Sequence, residues 1–273
     1  MVTCNIFGLS PTNNGLGNQL FCVAATLGYS FQHNLEAFFP DLLREPFKKY
    51  AETIFHQLIP LHPARNGITT QFDEPPNSST IYHQIPPCQS LRLNGFFQSY
   101  KYFDQFRENI LSLFSLPLSL ESSIKKQYTQ LLENSGTSTS LHVRRGDYVK
   151  NFEGNFANLG EAYYKSALEA QPNKTIVVFS DDIEWCRNHF TFTPYEFIFV
   201  ESGCDVTDLY LMSNMAHNII ANSTFSWWGA YLNNRKRKKV IYPSIWYGHL
   251  RSERNNDLKD LFPEEWIKIN VTN

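Results

Sequence analysis

Two adjacent arginines followed by a glycine and an aspartate are the residues of this chain best suited to hold a polyanion. They lie in Leu141-His-Val-Arg-Arg-Gly-Asp-Tyr148, where a short apolar run predicts a strand that ends at the guanidinium pair. Ligands of open α/β sheets gather at the carboxyl ends of strands. The planar fork of arginine gives paired, charge-assisted hydrogen bonds to phosphate oxygens that lysine does not match. The plainer alternative is an Arg–Asp ion pair that closes the strand and binds nothing.

Three further segments carry compatible chemistry. Asn218-Ile-Ile-Ala-Asn-Ser-Thr-Phe-Ser-Trp-Trp-Gly-Ala230 runs from a predicted strand into a helix through Asn222, Ser223 and Thr224, with Phe225 and Ser226 next. The free N–H groups and positive dipole end of such a helix attract anions; the alternative is an ordinary cap with Phe225, Trp227 and Trp228 in the core. Thr175-Ile-Val-Val-Phe-Ser-Asp-Asp182 ends an apolar strand in two carboxylates, Asp181 and Asp182, suited to a ribose, a purine edge or a cation. Asp181 followed by Glu184 equally fits a helix cap. Paired arginines would make a metal redundant for a departing diphosphate, so none is expected. In Asn14-Gly-Leu-Gly-Asn-Gln-Leu-Phe21, two glycines permit close backbone approach, and Asn18 and Gln19 supply amides at a helix start. The third glycine of a dinucleotide fingerprint is missing, which disfavours a nicotinamide cofactor.

The elements that must position these residues are regular in the second half. Apolar runs at 140–143, 175–179, 196–200, 218–221 and 240–242 alternate with helical patterns at 160–170, 183–189, 205–215 and 225–234. This alternation predicts βαβ units and a doubly wound parallel sheet. The first half is less periodic: a buried helix is expected near 15–30, a long irregular segment at 60–87, where six of the 14 prolines fall, and helices at 103–114 and 120–132. Glu133-Asn-Ser-Gly-Thr-Ser-Thr139 reads as a linker, giving domains 1–138 and 139–273, with the tail free to pack back on the first.

Composition narrows the class. The 273 residues are 42% hydrophobic and 18% charged, enough apolar content for packed cores and too much for a disordered chain. A net charge of −2 offers no general field for nucleic acid or an anionic membrane. The five cysteines are odd in number and lack a Cys-x-x-Cys pair, which points to a reducing, cytoplasmic setting rather than a disulfide or zinc framework. No apolar window long enough for a transmembrane helix occurs, and the first residues lack a signal-peptide pattern. Arg235-Lys-Arg-Lys-Lys239 reads as the solvated C-terminal end of a helix.

Taken in order, Gly15-Leu-Gly-Asn-Gln-Leu-Phe21, His142-Val-Arg-Arg-Gly-Asp-Tyr148, Phe179-Ser-Asp-Asp182 and Asn222-Ser-Thr-Phe-Ser-Trp-Trp-Gly229 resemble the motifs of the α1,2-fucosyltransferases of glycosyltransferase family 11. The resemblance covers about residues 8 to 245. It implies a GT-B-like α/β fold of two Rossmann-like domains facing a cleft, the first on the acceptor side and the second binding GDP-fucose. It also implies inverting transfer of L-fucose from GDP-β-L-fucose to the 2-hydroxyl of a terminal galactoside, without a metal. Arg144 and Arg145 would then bind the diphosphate, with His142 close by and Asp147 supporting them. Asn18, beside Gln19, looks like the residue reaching toward the β-phosphate or the acceptor. Asn222, Ser223, Thr224, Phe225 and Ser226 resemble phosphate contacts, and Asp181 or Asp182 a guanosine contact. Glu153 and Asp147 are the candidates for a base. One departure is the polar Ser10-Pro-Thr-Asn-Asn14 insertion where many bacterial members run a short strand straight into the glycine motif. Animal members carry a membrane anchor ahead of this point; its absence here is similar to bacterial enzymes. Related families sharing the arginine motif keep two alternatives open, an α1,6- or protein-linked fucosyltransferase and a non-catalytic nucleotide-sugar-binding module.

Overall fold

The structure, a computed structural model, describes residues 1–6, 15–60, 69–150, 154–252 and 257–271, with only the backbone of 251 and 252. The chain divides into two units: Met1–Ser123 with Asp257–Pro263, and Ile124–Asn256 with Glu264–Asn273.

In the first unit three short strands, β1 (Val2–Cys4), β2 (Thr70–Asp73) and β3 (Leu91–Asn94), form a parallel sheet in the order β1-β3-β2. In β1 the buried Val2, Thr3 and Cys4 pair with Leu91–Leu93; 7–14 lie outside the described residues. β2 was not legible in the sequence, since Thr-Gln-Phe-Asp carries no apolar run and lies at the sheet edge. Helix α1 (Leu16–His33) realises the expected buried helix and buries almost every residue from Leu16 to Ser30. Gly28 makes this possible: a Cβ there would lie 2.1 Å from the Tyr102 carbonyl oxygen, so the helix backbone meets the 102–103 backbone directly. Shorter helices α2 (Lys48–Ala51) and α3 (Arg107–Leu113) follow.

The helix expected at 120–132 is two, α4 (Leu118–Gln127) and α5 (Thr129–Glu133), because Tyr128 leaves helical geometry (φ −113°, ψ 31°). The division between units falls within α4. The second unit is built on β4 (Ser138–Val143), β5 (Thr175–Ser180), β6 (Glu196–Phe199), β7 (His217–Ile219), β8 (Val240–Pro243) and β9 (Ile267–Ile269). All are parallel, in the order β6-β5-β4-β7-β8-β9. The intervening helices are α6 (Gly146–Lys150), α7 (Glu161–Glu169), α8 (Ile183–His189), α9 (Asp205–Asn214), α10 (Thr224–Tyr231) and α11 (His249–Ser252). Leu141, Val143, Ile176 and Val178 of the central strands pack on Tyr163, Tyr164, Ala167 and Leu168 of α7 and Cys186 of α8. Burying a large apolar side chain of this kind contributes roughly 1.5–3 kcal/mol. β9 was not expected, its Ile-Lys-Ile being too short to stand out. No described helix is long and apolar enough to cross a membrane.

Candidate active site

The strand order decides where a ligand belongs in the second unit. From β4 the chain winds outward through β5 to β6, then returns to β7 on the other side of β4. The carboxyl ends of β4 and β7 thus flank the point at which the winding reverses, the position where doubly wound sheets bind ligands. Arg144 and Arg145 follow β4, and Asn222, Ser223 and Thr224 lie between β7 and α10.

Both guanidinium groups are engaged inside the unit. Arg144 contacts Asp147 at 2.7 Å through Nη2 and Asp181 at 3.1 Å through Nη1. Arg145 donates from Nε to Asp182 and from Nη1 to Asn158, each at 3.3 Å, and its guanidinium lies 4.1 Å above the Trp185 ring. The two differ in access: the Arg144 side chain is 32% exposed and that of Arg145 15%. Each guanidinium makes two polar contacts and lies over a ring, Arg144 at 5.4 Å from that of Tyr148, so with five N–H donors each it is exposure that separates them. Two cations among Asp147, Asp181 and Asp182 do not amount to a free positive patch.

Asp181 is the fixed point of this cluster. It accepts the Arg145 backbone N–H at 2.9 Å as well as the Arg144 contact. A Cβ on Gly146 would lie 2.7 Å from its Oδ2, so the glycine after the arginine pair is what lets Asp181 come this close. Asp182 caps α8 by accepting the Trp185 N–H at 3.3 Å, which realises the capping alternative one residue later than Asp181. His142 is buried at the end of β4 against Phe225, with ring centroids 5.7 Å apart. Burial holds its imidazole far below the usual range, against the upward pull of Asp181 and with a smaller push from Arg144, so it is neutral.

The α10 end is also assembled at this crest. Ser223 has extended backbone (φ −137°) and its side chain makes no capping bond. The first-turn N–H groups, those of Thr224, Phe225 and Ser226, precede the first helical bond, donated by Trp227 to the Ser223 carbonyl. Asn222 is fully buried and its Nδ2 donates to the carbonyls of Ala157 (2.8 Å) and Trp246 (2.7 Å), so it braces two loops. Ser226 is buried and bonds back to the Ser223 carbonyl at 3.2 Å. Trp227 and Trp228 are fully buried core residues.

Of the residues singled out in the sequence, His142, Arg144, Arg145, Asp147, Asp181, Asp182 and 222–226 are therefore gathered at the carboxyl ends of β4, β5 and β7. Asn18 and Gln19 belong to the first unit, where Asn18 Oδ1 accepts from Gln98 at 2.9 Å and Gln19 is buried. Glu153 lies outside the described residues. Sequence reasoning missed Trp185, Asn158 and Tyr148. The Tyr148 hydroxyl donates to the Asn222 carbonyl at 3.1 Å, and its ring stacks on Phe156 with centroids 4.2 Å apart. Its position four residues after Arg144, on the short helix that the arginine pair leads into, was the available signal.

Residues 54–270 match the model of glycosyl transferase family 11, which spans parts of both units. The chain belongs to glycosyl transferase family 11. Among similar proteins are the O-antigen biosynthesis glycosyltransferase WbnK of Escherichia coli, 36% identical over 69% of this chain and 66% of that protein, and an alpha-1,2-colitosyltransferase of Escherichia coli, 35% identical over 66% of this chain and 63% of that protein. The galactoside alpha-(1,2)-fucosyltransferase 1 of Leontopithecus chrysomelas is 31% identical over 66% of this chain and 53% of its own length. The chain thus spans less than two thirds of each of these relatives. Among solved structures, the fucosyltransferase NodZ from Bradyrhizobium matches with a TM-score of 0.53 at 11% identity, covering 84% of this chain and 91% of that one. This family member therefore shares the α/β, GT-B-like fold of those fucosyltransferases, with a parallel sheet in each unit.

Proposed function

We propose that this family 11 protein transfers L-fucose from GDP-β-L-fucose to the 2-hydroxyl of a terminal galactoside with inversion, the second unit holding the donor and the first the acceptor. The observation that carries the proposal is Arg144, one third exposed at the reversal point of the sheet and aimed by Asp147 and Asp181. As the bond from fucose to the β-phosphate breaks, negative charge grows on GDP and positive character on the sugar. Arg144 and the first-turn N–H groups of α10 stabilise the departing diphosphate, and the acceptor hydroxyl attacks the opposite face, its proton passing to a carboxylate, Asp147 being the candidate among the described residues, as the new bond forms. Asp181 is held by the Arg145 backbone as well as by Arg144, so Asp147 is the carboxylate that a phosphate oxygen displaces on binding. Arg145, packed on Trp185, serves as a support rather than a phosphate contact. Asp181 and Asp182 orient the arginines in this reading, in place of a guanosine contact.

The test is GDP release from GDP-fucose with lactose in the presence of EDTA. Arg144→Ala is expected to bring kcat/KM down on the order of a hundredfold while keeping its melting transition, since one such charge-directed donor contributes about 3 kcal/mol. Turnover by Arg144→Ala at the native rate, or a requirement for manganese, would overturn the proposal. The likeness to an alpha-1,2-colitosyltransferase favours a second reading of the donor sugar; competition between GDP-fucose and the corresponding colitose donor separates the two, and NMR of the product assigns the linkage.

A further inference from the structure

At the carboxyl ends of β1, β3 and β2, the residues Asn5, Asn94 and Asp73 stand in a row. The parallel register produces it: Asp73 pairs with Asn94, and Asn5 follows Cys4, the partner of Leu93. Along β3, Leu91 and Leu93 are buried, so Arg92 and Asn94 take the other face by simple alternation. The row is joined by hydrogen bonds: Asn5 Nδ2 donates to Asn94 Oδ1 at 3.1 Å, and Asn94 Nδ2 donates to Asp73 Oδ1 at 2.6 Å. Gln71 donates to the same Asp73 oxygen at 2.8 Å. Asp73 is exposed, and among the described residues its carboxylate is oriented by amides, not by a cation.

The adjacent residue holds this edge in place. Glu74 is buried, and its carboxylate accepts the N–H of Phe96 at 2.9 Å and that of Phe97 at 2.7 Å. The loop leaving β3 consequently turns hard, with Phe97 at φ 50° and Gly95 so close that a Cβ on it would lie 2.4 Å from Glu74 Cβ. One end of this clamped loop is Asn94, and the other is Gln98, which orients Asn18. A single buried carboxylate therefore sets the amide row and the Asn18 side chain together.

We infer that the row Asn5, Asn94 and Asp73 binds the hydroxyl groups of the acceptor saccharide, with Asp73 as an acceptor-binding residue and Glu74 as a positioning residue. The inference rests on the reading of the first unit as the acceptor side. A neutral sugar presents neighbouring hydroxyls that each donate and accept. A fixed carboxylate next to amides offers acceptors and donors side by side for such a pair. The charge of Asp73 disfavours a phosphate there, and the carboxyl ends of parallel strands are where such sheets receive ligands. Because the row is already held by its own hydrogen bonds, little side-chain freedom is lost on binding.

Lactose is the probe. With GDP-fucose saturating, Asp73→Ala is expected to raise the KM for lactose about tenfold or more, as loss of a substrate contact does, while the KM for GDP-fucose and the affinity for GDP stay at native values. Asp73→Asn keeps the shape and loses the charge, and is expected to show a smaller rise of the same kind. Saturation-transfer NMR of lactose with GDP-bound protein reads the same contact without turnover, so it remains decisive if GDP-fucose is not the donor: signal in the native protein and its loss in Asp73→Ala support the site. A native KM for lactose in a folded Asp73→Ala, an equal rise in donor KM, or the absence of any lactose signal with the native protein overturns it.

Discussion

Arg144 and Arg145 are identical in type and adjacent in sequence, yet their surroundings give them different work. Arg145 lies over Trp185 with Asp182 and Asn158 on its edge and is the more buried, while Arg144, over Tyr148 and between Asp147 and Asp181, keeps the greater exposure. The sequence shows the pair but not the division, because the division is made by Trp185 and Asn158, which lie far from the motif and belong to no pattern that spacing reveals. The glycine that follows is legible only in part. The spacing gives it no role, and the structure shows that its function is close approach: a methyl group at 146 would sit 2.7 Å from Asp181 Oδ2, and Asp181 is a short side chain held at both oxygens. Gly146→Ala is accordingly expected to displace Asp181 and loosen Arg144, lowering kcat/KM for GDP-fucose about tenfold or more. Gly160→Ala is the matched control, since no atom lies within 4 Å of a Cβ there. Steady-state kinetics on the two variants check this; equal, native activity in both would show that the approach of Asp181 is incidental.

At the scale of elements, most strands of the second unit were readable, whereas of the first unit the buried helix α1 was and the strands β2 and β3 were not. Strands 140–143, 175–179 and 240–242 stand out because parallel strands buried on both faces carry unbroken apolar runs, and β4, β5 and β8 match them closely. β2 and β3 escape such reading because they carry Gln71, Asp73, Arg92 and Asn94 on exposed faces. The basic run after α10 shows how an element-level reading gains content from the fold. Arg235 donates to the Asn214 carbonyl at the end of α9, Lys238 to the carbonyls of Ala230 and Asn233 at the end of α10, and Lys239 to Ala170 at the end of α7. One cationic turn thus serves the last carbonyls of three helices, where positive charge complements the dipole. Arg235 also reaches the Ser135 hydroxyl at 3.0 Å, so its removal affects the approach to β4 too. Arg235→Ala is expected to lower the melting temperature by about 2–4 °C, the shift that roughly 1 kcal/mol produces in a chain of this size, with the KM for GDP-fucose unchanged. Calorimetry beside kinetics tests it, and a changed donor KM with an unchanged melt would reverse the assignment.

The last part of the chain contributes to both units, and two buried groups, Glu74 in the first and His142 in the second, respond to pH in opposite senses. Residues 257–263 belong to the first unit, where Asp260 accepts from Lys101 Nζ at 2.6 Å and from the Tyr82 N–H at 2.9 Å; 264–273 belong to the second, where β9 completes the sheet beside β8. Neither role is visible in a sequence read outward from motifs, since each depends on partners more than a hundred residues away or on a three-residue strand. Burial also shifts the charge state of Glu74 in the first unit and of His142 in the second. In the first, burial pushes the Glu74 carboxyl up to about 7 from an ordinary 4.5, against the pull of its two backbone hydrogen bonds. A carboxyl raised in the folded state binds more protons folded than unfolded between those values, so its contribution is present below about 4.5 and lost as pH rises toward 7. In the second, burial holds His142 well below the ordinary 6.5. An imidazole lowered in the folded state binds more protons unfolded, so its contribution is present above 6.5 and lost as pH falls. Acidification from about pH 7 to about pH 5 therefore strengthens the contribution of Glu74 and weakens that of His142. Substituting one group at a time exposes the two slopes: Glu74→Gln is expected to leave a protein whose melting temperature falls more steeply on acidification than the native one, and His142→Gln a protein whose melting temperature rises. Thermal unfolding followed by circular dichroism at four or five pH values checks both. Parallel curves for all three proteins would mean that neither group changes its proton occupancy on folding, and that the burial of Glu74 and His142 does not govern their charge.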